Sequence, residues 1–233
     1  MGTISIKYHF TLANGATETF DLHLDGETMQ LQNFIPDALP DWTRLDFNQC
    51  PHCPFSIAEN SHCPVAANLV TIVLLFEKLL SHDEIHVDII TKERKISQDT
   101  TAQRAISALM GLVMATSGCP HMSFFKPMAR FHLPLASEEE TLYRATSMYL
   151  LAQYFLKKDG VRSEISLDGL TDIYRNIQIV NMTIAARIRA SSVTDSSVNA
   201  LVLLDMYAKA VPYVIKDHLE EIRYLFTSFS PQK

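Results

Sequence analysis

The chain has 233 residues, of which 47% are hydrophobic and 20% are charged, and its formal net charge is −6. This composition is typical of a globular protein and argues against intrinsic disorder, while the negative charge argues against a general nucleic-acid binder. Residues 1–20 lack the basic start and apolar core of a signal peptide, and the most apolar run, residues 65–76, is too short to span a membrane. We therefore expect a cytoplasmic protein.

The first predicted elements are β-strands. Residues 3–10 and 17–24 both alternate apolar and polar side chains, and Asn14-Gly15 between them tolerates positive φ, so the pair predicts a β-hairpin. A lone hairpin is marginally stable in water and needs a further strand or a helix against it. Residues 85–89 alternate in the same way and are the best candidate for a third strand.

A mostly helical body follows an irregular stretch that is punctuated by Pro36 and Pro40 and holds Trp42. Apolar residues and flanking signals predict helices over residues 64–80 and about 99–117. No internal repeat and no low-complexity linker interrupts this body, which favours a compact arrangement.

Helices are also predicted for the rest of the chain. Ser137 and Glu140 match a capping box, so a helix is expected to begin at Ser137. Apolar residues recur at helical spacing over residues 170–188 and predict the next helix. A last helix is expected from Asp195 onward, with Pro212 either kinking it or starting a new one.

Together these elements predict an α+β fold. A small N-terminal antiparallel sheet, made of the hairpin plus one later strand, is expected to pack on a mainly helical body. We expect a single compact domain over residues 1–233. Its sub-regions are the hairpin region at 1–48, and the cysteine loop and helical body at 49–233.

The four cysteines, Cys50, Cys53, Cys63 and Cys119, are each followed directly by proline. The chance probability of this coincidence is about three in a million at background proline usage. Each proline restricts the preceding cysteine to extended backbone. Cys63 is expected near the N-cap of a helix, because proline is well tolerated at the first helical position, and Cys119 just past a helix C-terminus. The pattern predicts one tetracysteine metal site.

Two metals suit four thiolates. A structural zinc ion is favoured, because a Cys-x-x-Cys pair with distant third and fourth ligands is more typical of zinc than of iron–sulfur motifs. A four-iron–four-sulfur cluster (4Fe-4S) in a redox or sensory protein is the alternative. Thiols that serve only as buried packing or as transient disulfides are the plainer interpretation. With zinc, the expected function is that of a regulatory or interaction protein.

Three histidines, His52, His62 and His121, neighbour the cysteines. One of them could replace a thiolate in a mixed Cys/His site, or they could donate hydrogen bonds to the coordinating sulfurs. A polar loop could also simply contain histidines. Four thiols already complete a tetrahedral site, so we expect a supporting role or none.

A second candidate site lies directly downstream of Cys119. Lys126, Arg130 and His132 are possible donors to an anionic ligand. The plainer interpretation, which we favour, is a connector that packs its aromatic side chains under the helices and leaves its charges in water. The chain has no Gly-rich phosphate loop, Gly-x-Ser-x-Gly elbow or His-Glu-x-x-His helix, so a non-enzyme is favoured. An enzyme that acts on a small anionic substrate is a further alternative.

Several specific runs occur along the chain: Cys-Pro-x-Cys-Pro and His-Cys-Pro in the cysteine loop, Ser-Gly-Cys-Pro-His at residues 117–121, Trp-Thr-Arg-Leu at 42–45, and the block at 126–140. In these runs the chain resembles a family of uncharacterised proteobacterial proteins. The likeness spans nearly the whole chain. It implies a cytosolic bacterial origin and supplies no mechanism. The sequence leaves a protein partner and the oligomeric state open.

Overall fold

The computed structural model describes residues 2–33, 35–76, 79–191 and 196–229. A four-stranded antiparallel sheet has the strand order β2-β1-β3-β4. The strands span Ile4–Leu12 (β1), Thr17–Leu24 (β2), Glu84–Ile90 (β3) and Lys95–Thr101 (β4). The helices span Pro64–Leu75 (α1), Ala102–Thr116 (α2), Lys126–Arg130 (α3), Glu138–Lys158 (α4), Asp168–Ser191 (α5) and Ser196–Glu221 (α6). Short 3-10 turns occupy Asp41–Thr43, Ser123–Phe125 and Arg223–Phe229. The predicted α+β class is confirmed.

The predicted hairpin is confirmed, and its turn explains why these residues form one. Gly15 adopts a φ of 81°, which lies in the left-handed region that glycine enters at little cost. The N–H of Leu12 donates to the carbonyl of Ala16 at 2.8 Å and closes the turn. β3 pairs antiparallel with β1, with Tyr8 opposite Ile89, so the predicted third strand is also confirmed.

The expected helix start near residue 99 is wrong, because residues 95–101 form strand β4 and α2 begins only at Ala102. β4 lies at the edge of the sheet, and none of its side chains is fully buried. Such an edge strand shows no alternation of apolar and polar residues. Asp99 lies opposite His86, whose Nδ1 is 2.6 Å from the Asp99 carboxylate.

One face of the sheet is buried against α1 and α2. Tyr8, Phe10 and Val87 are fully buried on that face. Phe76 follows the last residue of α1 and packs edge-on against Phe10, with ring centroids 4.9 Å apart, and stacks on Phe20 at 5.6 Å. Burying an aromatic or aliphatic side chain of this size stabilises the fold by about 1.5–3 kcal/mol. The sheet therefore holds the two helices whose ends carry Cys63 and Cys119.

The later helices agree with the sequence pattern. The Ser137 hydroxyl accepts a hydrogen bond from the Glu140 N–H at 3.1 Å, and the Ser137 N–H donates to the Glu140 carboxylate at 2.8 Å, so the capping box is confirmed. α5 covers the predicted residues 170–188. The expected start of the last helix, Asp195, lies outside the described residues. α6 continues through Pro212 without a new start.

α4 leaves much of its apolar surface uncovered. Its buried residues are Leu142, Ala145 and Thr146, whereas Leu151 and Tyr154 are 54% and 59% exposed. Within the described ranges, no helix combines the length and the apolar character needed to cross a membrane.

Candidate metal centre

The four cysteines come from three parts of the chain. Cys50 and Cys53 lie in one tight turn, in which the N–H of Cys53 donates to the carbonyl of Cys50 at 3.0 Å. Cys63 is the N-cap residue of α1 and has the extended backbone that the following proline requires. Cys119 follows Gly118, which lies just past the end of α2 and adopts a φ of 94°. The expected positions of Cys63 and Cys119 relative to their helices are therefore confirmed.

Cys119 lies in an environment that disfavours a free thiolate. Burial raises the pKa of its thiol to about 11, although hydrogen bonds from the N–H groups of Met122 and His121 oppose this shift. The charges of Cys63 and Cys50 raise that pKa further, so these thiols lie close enough to repel one another when ionised. A positive charge placed between them would reverse the shift.

The pKa of the Cys50 thiol is raised as well. Burial raises the pKa of its thiol, a hydrogen bond with Thr183 opposes the rise, and the charges of Cys63 and Cys53 add to it. None of the four cysteines forms a disulfide, and each is half-buried. Over the ranges that the structure describes, no group of three or more His, Cys, Asp or Glu side chains is placed so that it could hold a metal ion. The role of Cys50, Cys53, Cys63 and Cys119 as ligands stays a prediction.

A buried arginine, Arg187 of α5, lies beside the cysteines. Its side chain is only 1% exposed, and its two terminal nitrogens donate to the carbonyls of Trp42, Arg44 and Leu45 at 2.6–3.1 Å. Burial lowers the pKa of the guanidinium, and the charges of the thiols, Cys63 foremost, oppose that shift. Arg187 forms no ion pair with a carboxylate of the described residues, although the charge of Asp46, which pairs with Arg44, also acts on it. Its Nε has no acceptor among the described residues. Since a guanidinium stays charged in proteins, thiolates formed at these cysteines would add to the balance that Asp46 provides.

Sequence reasoning missed Arg187, although a signal was present. The apolar stripe of α5 passes through Ile177, Ile184 and Ile188. Asn181 and Arg187 fall on the same stripe at helical spacing, and both are buried. A polar or charged residue on the apolar face of a helix requires a partner, so this pattern could have drawn attention to both positions.

The three histidines hold the loops around the cysteines. The rings of His52 and His121 stack with centroids 3.9 Å apart and planes 13° from parallel, and His121 Nε2 donates to the carbonyl of His52 at 2.9 Å. His62 Nδ1 lies 2.8 Å from the hydroxyl of Thr43, which itself donates to the carbonyl of Pro40. Because a hydroxyl has one proton to give, Nδ1 of His62 must be the donor.

Burial lowers the pKa of His52, and the charge of His121 lowers it further. The Nδ1 atom of His52 is buried without a hydrogen-bond partner among the described residues. Nε2 of His52 lies 3.3 Å from the carbonyl of Asn176 and therefore donates to it, so Nδ1 of the neutral ring is an unused acceptor beside Cys53 in the chain.

The candidate anion-binding residues do not converge on one point. Lys126 Nζ donates to the carbonyl of Thr28 at 2.7 Å, and the exposed Arg130 lies over the ring of Phe131 at 5.4 Å. His132 instead turns inward, and its Nε2 lies 2.5 Å from the hydroxyl of Tyr8. The structure therefore places Lys126 and Arg130 in different surroundings, and of the three candidate residues only His132 lies in the helical interior.

The comparisons with other proteins give one match. The chain matches no curated protein and no solved structure. A family model described as a domain of unknown function (DUF6901) matches residues 6–227, which run from β1 to the C-terminal 3-10 turn and include all four cysteines. The chain therefore belongs to the DUF6901 family.

Proposed function

We propose that Cys50, Cys53, Cys63 and Cys119 bind one zinc ion, and that this zinc has a structural role in a regulatory or interaction protein. The observation that carries the proposal is the buried guanidinium of Arg187 beside the cysteines. Its buried charge forms no ion pair among the described residues, and the cysteines act on it more strongly than Asp46, a carboxylate that pairs with Arg44. A zinc ion with four thiolates is a net negative group, so it would supply a closer counter-charge.

The donor set fits zinc in number and in chemistry. Four sulfur ligands complete the tetrahedral shell of a structural site. The thiol protons that burial now retains would be displaced by the metal, because its positive charge favours the thiolates. Bound in this way, zinc would tie the 50–53 turn and the start of α1 to the end of α2.

The fold supports a structural role for such a link. Between the turn at Asp41–Thr43 and residue 63 the chain forms no helix or strand, and α5 contacts it through Arg187, through Asn176 and through Thr183. Zinc bound by Cys50, Cys53 and Cys63 would hold the C-terminal part of the same loop. Since each Cys-Pro unit is already held extended, little backbone entropy would be lost when the metal binds.

A cytoplasmic location and a proteobacterial origin belong to this proposal. Thiols that form no disulfide, as in this chain, suit a reducing compartment. The Cys-Pro motifs are the residues through which the chain resembles proteobacterial sequences. The acidic net charge supports a partner other than nucleic acid.

Metal analysis of protein purified under anaerobic conditions tests the proposal. We expect about one zinc per chain and no visible absorption, as for a closed zinc–thiolate site. Iron together with a broad visible band that bleaches in air would replace zinc by a 4Fe-4S cluster and the structural role by a redox or sensory one. Protein that contains neither metal would overturn the proposal.

A further inference from the structure

A cavity of about 210 Å³ lies among the helices and is separate from the cysteines. We call it the helical cavity. α2, α3, α4, α5 and α6 all contribute to its wall, which is mostly apolar and includes Leu112, Met122, Phe125, Met128, Ile177 and Leu204. An apolar cavity of about 150 Å³ is large enough to bind benzene, so this one accepts an apolar body slightly larger than a benzene ring.

Arg144 of α4 gives the wall of the helical cavity a positive charge. One of its terminal nitrogens donates to the carbonyls of Met128 and Phe131 at 3.0 and 2.9 Å. Arg144 forms no ion pair within the described ranges, and the nearby Glu140 carboxylate is engaged by the N–H of Ser137. The charge of Glu140 favours the charged form of Arg144, but Glu140 does not line the cavity, so Arg144 retains guanidinium donors on a mostly apolar wall.

Tyr174 and Asn181 also line the cavity, together with Ser107, Thr141 and His132. Tyr174 is 5% exposed, burial raises the pKa of its hydroxyl, which therefore stays a neutral donor, and the nearby charge of Arg144 opposes this rise. Asn181 is 2% exposed, and its Nδ2 has no acceptor among the described residues. Arg104 adds a second, exposed cation to the wall, and no Asp or Glu occurs among the described lining residues. Donors without acceptors beside a net positive charge complement an anion.

We propose that the helical cavity binds a small carboxylic acid with an apolar body about the size of a benzene ring. The body occupies the space between Leu112, Phe125 and Leu204. The carboxylate accepts hydrogen bonds from Arg144 and from the hydroxyl of Tyr174. A carboxylate is favoured over a phosphate because one unpaired guanidinium with a neutral donor matches a single negative charge on a planar group.

Isothermal titration calorimetry of the full chain with benzoate tests the head group and the body separately. We expect benzoate to bind, and benzyl alcohol, which lacks the charge, to bind at least about ten times more weakly. Inorganic phosphate, which lacks the apolar body, should not bind. Equal binding of benzoate and benzyl alcohol would overturn the assignment of Arg144. So would the absence of benzoate binding at concentrations up to about 10 mM, where ligands with millimolar Kd are detected.

Two variants locate the site. Arg144→Gln should weaken benzoate binding about ten- to a hundredfold. Arg130→Gln is the matched control and should change it less than about twofold, because Arg130 is exposed and does not line the cavity. Arg144→Gln also removes two hydrogen bonds to backbone, so Ala108→Leu is the second variant. It fills the cavity without touching those bonds and should abolish binding in a folded protein. Wild-type benzoate affinity in Ala108→Leu would refute the site.

Discussion

The cysteine site and the helical cavity are both built where several elements meet, but they differ in how they are marked in the sequence. Every proposed ligand of the cysteine site carries the same dipeptide, Cys-Pro. The helical cavity is lined by residues between 104 and 208 whose types are ordinary for helices. A site whose chemistry needs a rare residue type can be recognised in a sequence, whereas a cavity defined by its shape cannot.

The two regions also share one feature. Each contains an arginine that forms no ion pair among the described residues, Arg187 beside the thiols and Arg144 beside the cavity, although the charges of Asp46 and Glu140 act on them from a distance. An unpaired charge in a protein interior is costly unless a bound group balances it. We therefore expect Arg187 to act on the metal and Arg144 to act on the organic ligand, and the variants below separate the two.

The largest effect is expected for Cys119→Ser. Loss of one ligand should abolish zinc binding and lower Tm by about 10 °C or more. Structural zinc contributes about 10–16 kcal/mol apparent in finger peptides, and one kcal/mol shifts Tm by about 2–4 °C in a protein of this size. Calorimetric melting combined with zinc analysis measures both changes. A strong chelator is the control: it should lower the Tm of the wild type and leave that of Cys119→Ser unchanged. Wild-type-like melting of the variant would contradict a structural role for the metal.

A smaller effect is expected for Arg187→Met. Removing one partner of a buried charged pair costs about 3–5 kcal/mol, so the free energy of unfolding should fall by about this amount in zinc-loaded protein. Arg189→Met is the matched control on the same helix, and it should change stability by less than about 0.5 kcal/mol because Arg189 is exposed. Urea unfolding with and without zinc provides the measurement.

The zinc dependence of the Arg187→Met loss separates two roles of Arg187. If Arg187 balances a zinc–thiolate group, the loss should be smaller in zinc-free protein, and zinc affinity should fall about tenfold or more in competition with a chelating dye. An equal loss in both states would mean that Arg187 only holds the carbonyls of Trp42, Arg44 and Leu45. Benzoate binding should be unchanged in Arg187→Met, just as zinc binding should be unchanged in Arg144→Gln.

The smallest expected effect is the pH dependence of the free energy of unfolding that His132 causes in the helical interior. Burial lowers the pKa of His132 from 6.5 to about 3, and the charge of Arg144 contributes to this shift. Between these two values the unfolded chain binds a proton that the folded chain does not, so the free energy of unfolding falls as pH drops. The slope from this residue is up to about 1.4 kcal/mol per pH unit, and it vanishes above about pH 6.5.

Urea unfolding of the wild type and of His132→Gln at pH 7 and pH 5 isolates the contribution of His132. Glutamine keeps a hydrogen-bonding partner for the hydroxyl of Tyr8 and cannot take up a proton in this range. We expect stability to fall less steeply in the variant. Equal losses in the two proteins would show that His132 does not resist protonation in the folded state.

The sequence predicts the parts of the fold that local patterns determine. The Asn14-Gly15 turn and the capping box at Ser137 are confirmed because each depends on residues a few positions apart. Strand β4 could not be predicted, because its pairing with β3 is what stabilises it and its own side chains show no period. From the sequence alone, Asp99 therefore looks like the start of a helix, because its pairing with His86 of β3 cannot be recognised there.

The candidate sites show the same division. Cys63 could be placed at the N-cap of α1 from Pro64 alone. Lys126 was interpreted as a candidate donor to an anion, but its ammonium reaches the carbonyl of Thr28, far away in the chain. Arg144 and Arg187 depend on tertiary packing, and only the position of Arg187 on an apolar helix stripe indicated its burial.

X-ray absorption spectroscopy at the zinc edge tests the central claim most directly, because it reports the identity and distance of the atoms that bind the metal. We predict four sulfur scatterers at about 2.3 Å in the wild type and loss of the bound zinc in Cys119→Ser. A shell that contains nitrogen at about 2.0–2.1 Å would assign a histidine, such as His52 or His121, to the metal and would contradict a site made of four cysteines.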